Sequence, residues 1–350
     1  LKSNAQFFSL EIEISGTYVS EPISPVSGRP EIIELSPSST TRNLPWPDGS
    51  KVAASAIGLK GKAIRLFVSD NSAKGIFART EQPGWASFPK TRTEGEYPAV
   101  LSICDSLGVQ EFYLPALTAA FPKIQIFPNN QILVVASRCQ RFRDGSHELN
   151  AKTYDTAGNL QREFLLGDGI EHVQVDPAGK IWVGYFDEGV YGNYGWGHGD
   201  SRLGSAGLSC FDDKGTKLWD YQPPSGVDAI SDCYALNVSK DGVWAHYYTN
   251  FPFVRIDSNW RVQAWKTLMG GGREFAVHGE QVLLFGGYGE SKTSCKLLRL
   301  GDDTAEVIAH VSLLLPGDVD LSQATIIGRD NALHVLSAGD WYSFSMKSLS

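Results

Sequence analysis

Apolar and polar positions along this chain alternate in short runs. Stretches of four to eight residues rich in Val, Ile, Leu, Phe, Tyr and Trp are separated by clusters of Asp, Asn, Gly and Pro, and helical periodicity is nearly absent. Two kinds of hairpin recur in alternation. The first is "VDPAGKIWVGYF" (175–186), matched by "VSKDGVWAHYY" (238–248) and "VHGEQVLLFGG" (277–287), and more loosely by 127–137 and 328–337. The second is "YDTAGNLQREF" (154–164), matched by "FDDKGTKLWDY" (211–221), "IDSNWRVQAW" (256–265) and "ICDSLGVQEFY" (103–113). Asp and Asn close such turns through side-chain to backbone hydrogen bonds, and Gly supplies positive φ, so register is set locally.

One hairpin of each kind makes a four-stranded antiparallel sheet. Such sheets are predicted at 51–115, 122–165, 171–221, 233–266 and 274–310, with a sixth from Ala324 to the C-terminus that has only three strands of its own. A strand from the N-terminal segment, "FSLEIEI" (7–13) or "EIIEL" (31–35), would complete it and remove the exposed sheet edges. The predicted fold is all-β, a single-domain β-propeller of six four-stranded blades. Five or seven blades, or a pair of β-sandwiches, are the competing arrangements. Residues 1–50 form an extension carrying the closing strand, and 70–97 a long insertion. In "KIWVGYF" both faces are apolar, as a sheet stacked between neighbours requires, and Trp182 and Trp244 occupy equivalent blade-packing positions.

Composition narrows the classes. The chain has 350 residues, 42% of them apolar, enough for a sizeable core. Its net charge of −8 argues against nucleic-acid or anionic-membrane partners, which need positive fields. No run of about 18 apolar residues occurs, and no signal peptide is visible. The five cysteines are widely spaced without a CxxC, which favours buried free thiols in a reducing compartment, the cytoplasm, over zinc or disulfides. The sequon at Asn237 falls on a predicted buried strand and reads as chance.

Loop length points to one face. The turns within hairpins are short, whereas the connections 70–97, 138–149, 187–206, 222–232 and 288–293 are long and emerge together around the central channel. The candidate ligand-binding residues there are Arg138, Asp187, Glu188, Tyr191, Trp196, Asp232, Tyr248, Asn250, Arg273, Glu274 and Tyr288. Glu171 also lies near the channel mouth, and Asp70, Arg138, Asp187, Asn250 and Tyr288 end equivalent strands. For catalysis the candidates are His198 or Asp187 as base and Arg138 or Arg273 as anion clamp. Competing structural roles are a capped turn at Asp187-Glu188, a salt-bridge network among the channel charges, and an aromatic plug. The run Gly270-Gly271-Gly272 is readable as an anion nest or a plain linker.

"GIEHVQVDPAGKIWVGYFDEGVYG" together with "GLSCFDDKGTKLWDY" resembles the repeats of NHL-like and regulator-type propellers, across residues 120–345. That resemblance implies the blade architecture, and a family that includes lactonases, esterases, sugar-acid lyases and binding scaffolds. For its calcium enzymes it implies Glu, Asn and Asp around the axis, here Glu171, Asn250 and Asp187. The expected function is binding of a small molecule, saccharide or peptide on the long-loop face. The alternatives are a lyase or hydrolase acting on a sugar, sugar acid or lactone there, with calcium, and protein contacts in a larger assembly.

Overall fold

The computed structural model describes residues 31–41, 44, 46–80, 87–197, 202–289, 293–317, 319–337 and 339–349. Six sheets are arranged in chain order around an axis. Blade one comprises Ser50–Ile57, Ala63–Ser69, Arg92–Asp105 and Gly108–Ala119. Blade two runs from Pro122 to Phe164, blade three from Ile170 to Asp220 and blade four from Asp232 to Trp265. Blade five runs from Gly272 to Leu313, and blade six has Thr325–Arg329, Ala332–Ser337 and Asp340–Ser345. These limits fall within a few residues of those the hairpin pattern predicts.

The N-terminal segment closes the ring through two strands. Ser39–Thr41 pairs antiparallel with Asp340–Ser345 and completes blade six, locked by Ser38 N and Oγ on the Ser343 carbonyl at 2.7 and 2.8 Å. "EIIEL" instead runs parallel to Ala305–Leu313 as a fifth strand on the outer edge of blade five. The other candidate, 7–13, lies outside the described residues.

Each junction between neighbouring blades holds its own apolar cluster. Ile64 packs with Ile132 between blades one and two, Leu133 with Val173 between two and three, and Cys210 with Leu236 between three and four. Trp244 packs with Val282, Leu283 with Leu333, and Ile57 with Trp341 at the remaining three. Burying both faces of every sheet in this way is the main stabilising term, at roughly 1.5–3 kcal/mol per large side chain. Trp182 joins Trp219 and Trp260 at the third junction, and Trp244 stacks on Trp265 at 5.3 Å. All five cysteines are buried and free, and Asn237 is buried, as the sequence predicts.

Asp155, Asp176, Asp212 and Asp257 each accept through Oδ1 from the backbone N–H groups two and four residues on, at 2.7–2.9 Å. In the last of these turns Trp260 takes the positive φ, +64°, that Gly holds in the others. Its ring lies 5.6 Å from Trp219 and under Lys180 Nζ, contacts that offset the backbone cost.

The insertion in blade one contains a helix, Asp70–Ile76, capped by Ser69, and a small ribbon, Arg79–Thr80 with Phe88–Pro89.

Candidate functional site

The first strand of each blade is innermost, and its N-terminal end opens on the long-loop face. In blades one, three, four and five that strand begins with an irregularity that inserts one extra residue: Ala53, Glu171, Tyr234 and Arg273. A β-bulge re-aims a side chain that regular pairing would send into the sheet. In blades three to five the residue so delivered is ionisable or aromatic. Lys123 occupies the start of the same strand in blade two.

Glu171 is the hub of this mouth. Its carboxylate lies 3.7 Å from Lys123 Nζ, with side chains 49% and 33% exposed. Burial in the funnel wall would raise its pKa, but Lys123, His172 and Arg273 outweigh that and hold it below the ordinary carboxylate range. Two neighbouring acids are driven the other way. Burial, then Glu171, pushes Glu274 up to about 8, against the Gly328 N–H that its Oε2 accepts at 2.7 Å. Burial, then the charges of Asp187 and Glu171, raises Asp232 to about 6. The His172 ring is lowered by burial, opposed by Glu171, and its Nε2 has no hydrogen-bond partner among the described residues. Arg273 is exposed and makes no ion pair within 4 Å among the described residues.

Beside these charges stands an aromatic platform. Tyr234 meets Phe251 at 5.1 Å edge-on, Phe251 meets Tyr248 at 5.7 Å and Tyr288 at 5.9 Å, and the hydroxyls of Tyr234 and Tyr288 are 2.9 Å apart. Tyr248 and Tyr288 are half exposed. The run Gly270-Gly271-Gly272 is explained here. A Cβ on Gly271 would come within 2.9 Å of the Tyr288 ring and one on Gly270 within 3.1 Å of Phe251. These glycines give the rings room, a role that neither an anion nest nor a linker describes.

The structure divides the predicted site residues. It brings Asp187, Asp232, Arg273 and Glu274 to the mouth and places Tyr248 and Tyr288 on the platform. Arg138 is buried and fully engaged. Its Nε and Nη2 donate to Asp168 at 2.9 Å each, Nη1 pairs with Glu188, and the guanidinium sits 4.2 Å from the Tyr194 ring centroid. Arg138 and Glu188 are therefore structural partners, the salt-bridge alternative, and not a free anion clamp. Trp196 is buried with Nε1 on the Cys139 carbonyl at 2.8 Å, under Arg141 and beside His147, so it is core of the loops.

The glycine-rich loop 187–197 does not arch freely over the axis. Its Tyr194 hydroxyl donates to the Pro89 carbonyl, and Arg141 N and Gln140 Nε2 donate to the Tyr194 carbonyl at 2.9 Å. It clamps the loops of blades one and two. Tyr191, at its inner end, is exposed and bonds Ser231 Oγ at 2.6 Å. Asn250 donates to Asp228. His198 lies outside the described residues.

Glu171 is flanked by two cations, Asn250 is turned to Asp228, and among the described residues no three His, Cys, Asp or Glu side chains are placed to hold a metal. Sequence reasoning passed over Lys123, His172, Tyr234 and Phe251. The first three start innermost strands, in the register that identifies Glu171 and Arg273, and that position was the usable signal.

The sequence profile of the YxzG family matches residues 206–343, from the approach to the third strand of blade three into the last strand of blade six. No curated protein matches the chain. Similar solved structures include virginiamycin B lyase from Staphylococcus aureus, 11% identical, covering 88% of this chain and 98% of that one at a TM-score of 0.44. YCF48 bound to D1 peptide is 12% identical, covering 91% and 99% at 0.43. A gluconolactonase from Xanthomonas campestris is 12% identical, covering 89% and 96% at 0.39.

Proposed function

We propose that the long-loop mouth binds a small saccharide bearing a carboxylate. The observation that carries this reading is that Arg273, without an ion pair among the described residues, acts on Tyr234, whose hydroxyl bonds Tyr288 of the half-exposed aromatic platform. Aromatic faces stack on the apolar face of a sugar ring, and a guanidinium matches a carboxylate with two parallel hydrogen bonds. Asp232, Glu171 and Glu274 then supply acceptors, and in the protonated state donors, for hydroxyls.

Titration calorimetry with glucuronate, galacturonate and glucose tests it. Uronates bind more tightly than glucose; Arg273→Met weakens uronate binding by about tenfold or more, the scale of one charged hydrogen bond, and Tyr288→Ala weakens it by about threefold to tenfold, the scale of one aromatic contact. Equal affinity for glucose and uronates, or no binding of any, overturns the proposal.

A second reading rests on the divergent acids. Glu274 is pushed to about 8 while Glu171 is held low, which is the arrangement in which one carboxyl donates a proton and another accepts it. In this reading the same ligand is turned over by acid–base chemistry, as a lyase or hydrolase. Proton NMR of uronate oligosaccharides and aldonolactones incubated with the protein tests it, with E274Q as the variant that abolishes turnover and retains binding.

A further inference from the structure

The opposite end of the axis holds a second cavity, of about 790 Å³, ringed by the short turns between first and second strands. Gly58–Lys62 of blade one, Phe127–Asn130 region residues of blade two, Pro177, Lys240 and Arg329–Ala332 all contribute. Five of the six blades thus meet around it.

The inner wall of this cavity is polar and built. Arg329 is 4% exposed and reaches across the axis to blade three, where Nη1 donates to Gln174 Oε1 at 2.6 Å and Nη2 to the Val175 carbonyl at 2.5 Å. Gln174 in turn donates to the Leu236 carbonyl and accepts from Val238 N, both at 2.8 Å. Among the described residues no carboxylate lies within 4 Å of the Arg329 guanidinium. Asp330 and Asp176 act on this buried cation only from beyond ion-pair distance, and a ligand carboxylate in direct contact lowers the remaining cost of its burial. Burial lowers the Arg329 pKa to about 10, so the group stays charged at neutral pH.

The remaining lining agrees in sign and polarity. Four cationic side chains, Lys60, Lys62, Lys240 and Arg329, face two carboxylates, Asp105 and Asp330. Lys62 is paired with Asp105 at 2.9 Å and Lys240 with Asp241 at 2.8 Å. Lys60 is exposed and has no ion pair among the described residues. Apolar walls come from Ile103, Phe112, Ile126, Phe127 and Trp341. His334 also lines the cavity. Its Nδ1 accepts from Trp341 Nε1 at 3.1 Å, which places the ring proton on Nε2 and makes it a neutral donor.

From this geometry we infer that the turn-face cavity is a second binding site, for a small organic monocarboxylate with an apolar body. The carboxylate is drawn to the Arg329 end of the cavity, and the body lies against Phe112, Phe127 and Trp341. The site is separate from the long-loop mouth and does not rest on the saccharide reading.

The test titrates 4-phenylbutyrate and its neutral analogue 4-phenylbutanol into the full chain by calorimetry, with thermal melts to confirm folding of each variant. The acid is expected to bind about tenfold or more tightly than the alcohol, the increment of one charge-assisted hydrogen bond. Arg329→Gln is expected to remove that preference. Because Arg329 also ties blades six and three, Lys60→Glu serves where that variant does not fold, and weakens the acid several-fold while leaving the alcohol unchanged. Arg273→Met, at the other end of the axis, leaves both affinities unchanged. Equal binding of acid and alcohol, no binding of either, acid binding indifferent to Lys60→Glu, or acid binding lost in Arg273→Met would each overturn the inference.

Discussion

The two ends of the propeller axis are built from the same strands, yet their polar groups behave differently. At the long-loop end Lys123, Glu171, Asp232 and Arg273 are solvent-accessible and loosely paired, and they influence one another mainly through charge. At the turn end Gln174, Asn237 and Arg329 are buried and bonded across the axis. Asn237 alone donates to the Phe275 and Asp330 carbonyls and accepts from Asp330 N, joining blades four, five and six. Loop length is therefore a poor guide to where a chemically open site lies. Bulges at strand starts created the open mouth, while the glycine-rich loop 187–197 is occupied with holding Arg138 and the neighbouring loops. Conversely, the face with the shortest turns carries a cavity of its own.

The largest expected effect separates structural from ligand-directed arginines. Arg138→Met leaves Asp168 buried without its partner and is expected to cost about 3–5 kcal/mol in a denaturant melt. A stable Arg138→Met variant with impaired uronate binding would instead return Arg138 to the site. Next is Asn237→Ala, which removes three buried hydrogen bonds at the turn end and is expected to cost about 2–3 kcal/mol by the same measurement. A near-neutral result would show that the axial network does not hold the blades together.

A pH series sharpens the long-loop end. Folded Glu274, at about 8, keeps a proton that the unfolded chain, with its carboxyl near 4.5, releases. The wild type is thus most stable relative to E274Q below the unfolded value and loses that advantage as pH rises through about 8. Melting temperatures of the two proteins measured from acid to mildly alkaline pH should diverge in that direction; parallel curves would mean that Glu274 titrates normally. The smallest effect is expected for Arg273→Met and Glu171→Gln, each within about 0.5 kcal/mol of wild-type stability, because neither side chain is buried in a satisfied network. A loss above 2 kcal/mol in either would make the mouth a structural feature and blur the contrast between the two ends.

The blades were legible because each is specified locally. Asp212 and its turn, or Ile181 to Tyr185 alternating between two apolar faces, carry their structure in a dozen consecutive residues. The charged positions Glu171, Arg273 and Glu274 were legible for the same reason, as strand starts with ionisable residues. Arg138 and Trp196 stayed open between a ligand role and a structural one because an arginine or tryptophan in a loop looks the same whether its partner is a ligand or Asp168 and Cys139, thirty or more residues away. Of the two candidate closing strands, 7–13 lies outside the described residues and "EIIEL" joins blade five, while the N-terminal segment Ser39–Thr41 reaches the free edge of Asp340–Ser345.

By itself the sequence determined five four-stranded units and three strands of a sixth, their turns and the two-sided apolar strands that stack them, because turn chemistry and strand alternation act between near neighbours. Only the tertiary structure decided which polar side chains face each other. Lys123 and Glu171, Arg329 and Gln174, and Tyr234 and Tyr288 come from different blades. Their encounter depends on ring closure, which brings strand ends distant in the chain to one axis, and on bulges that re-aim single residues within it.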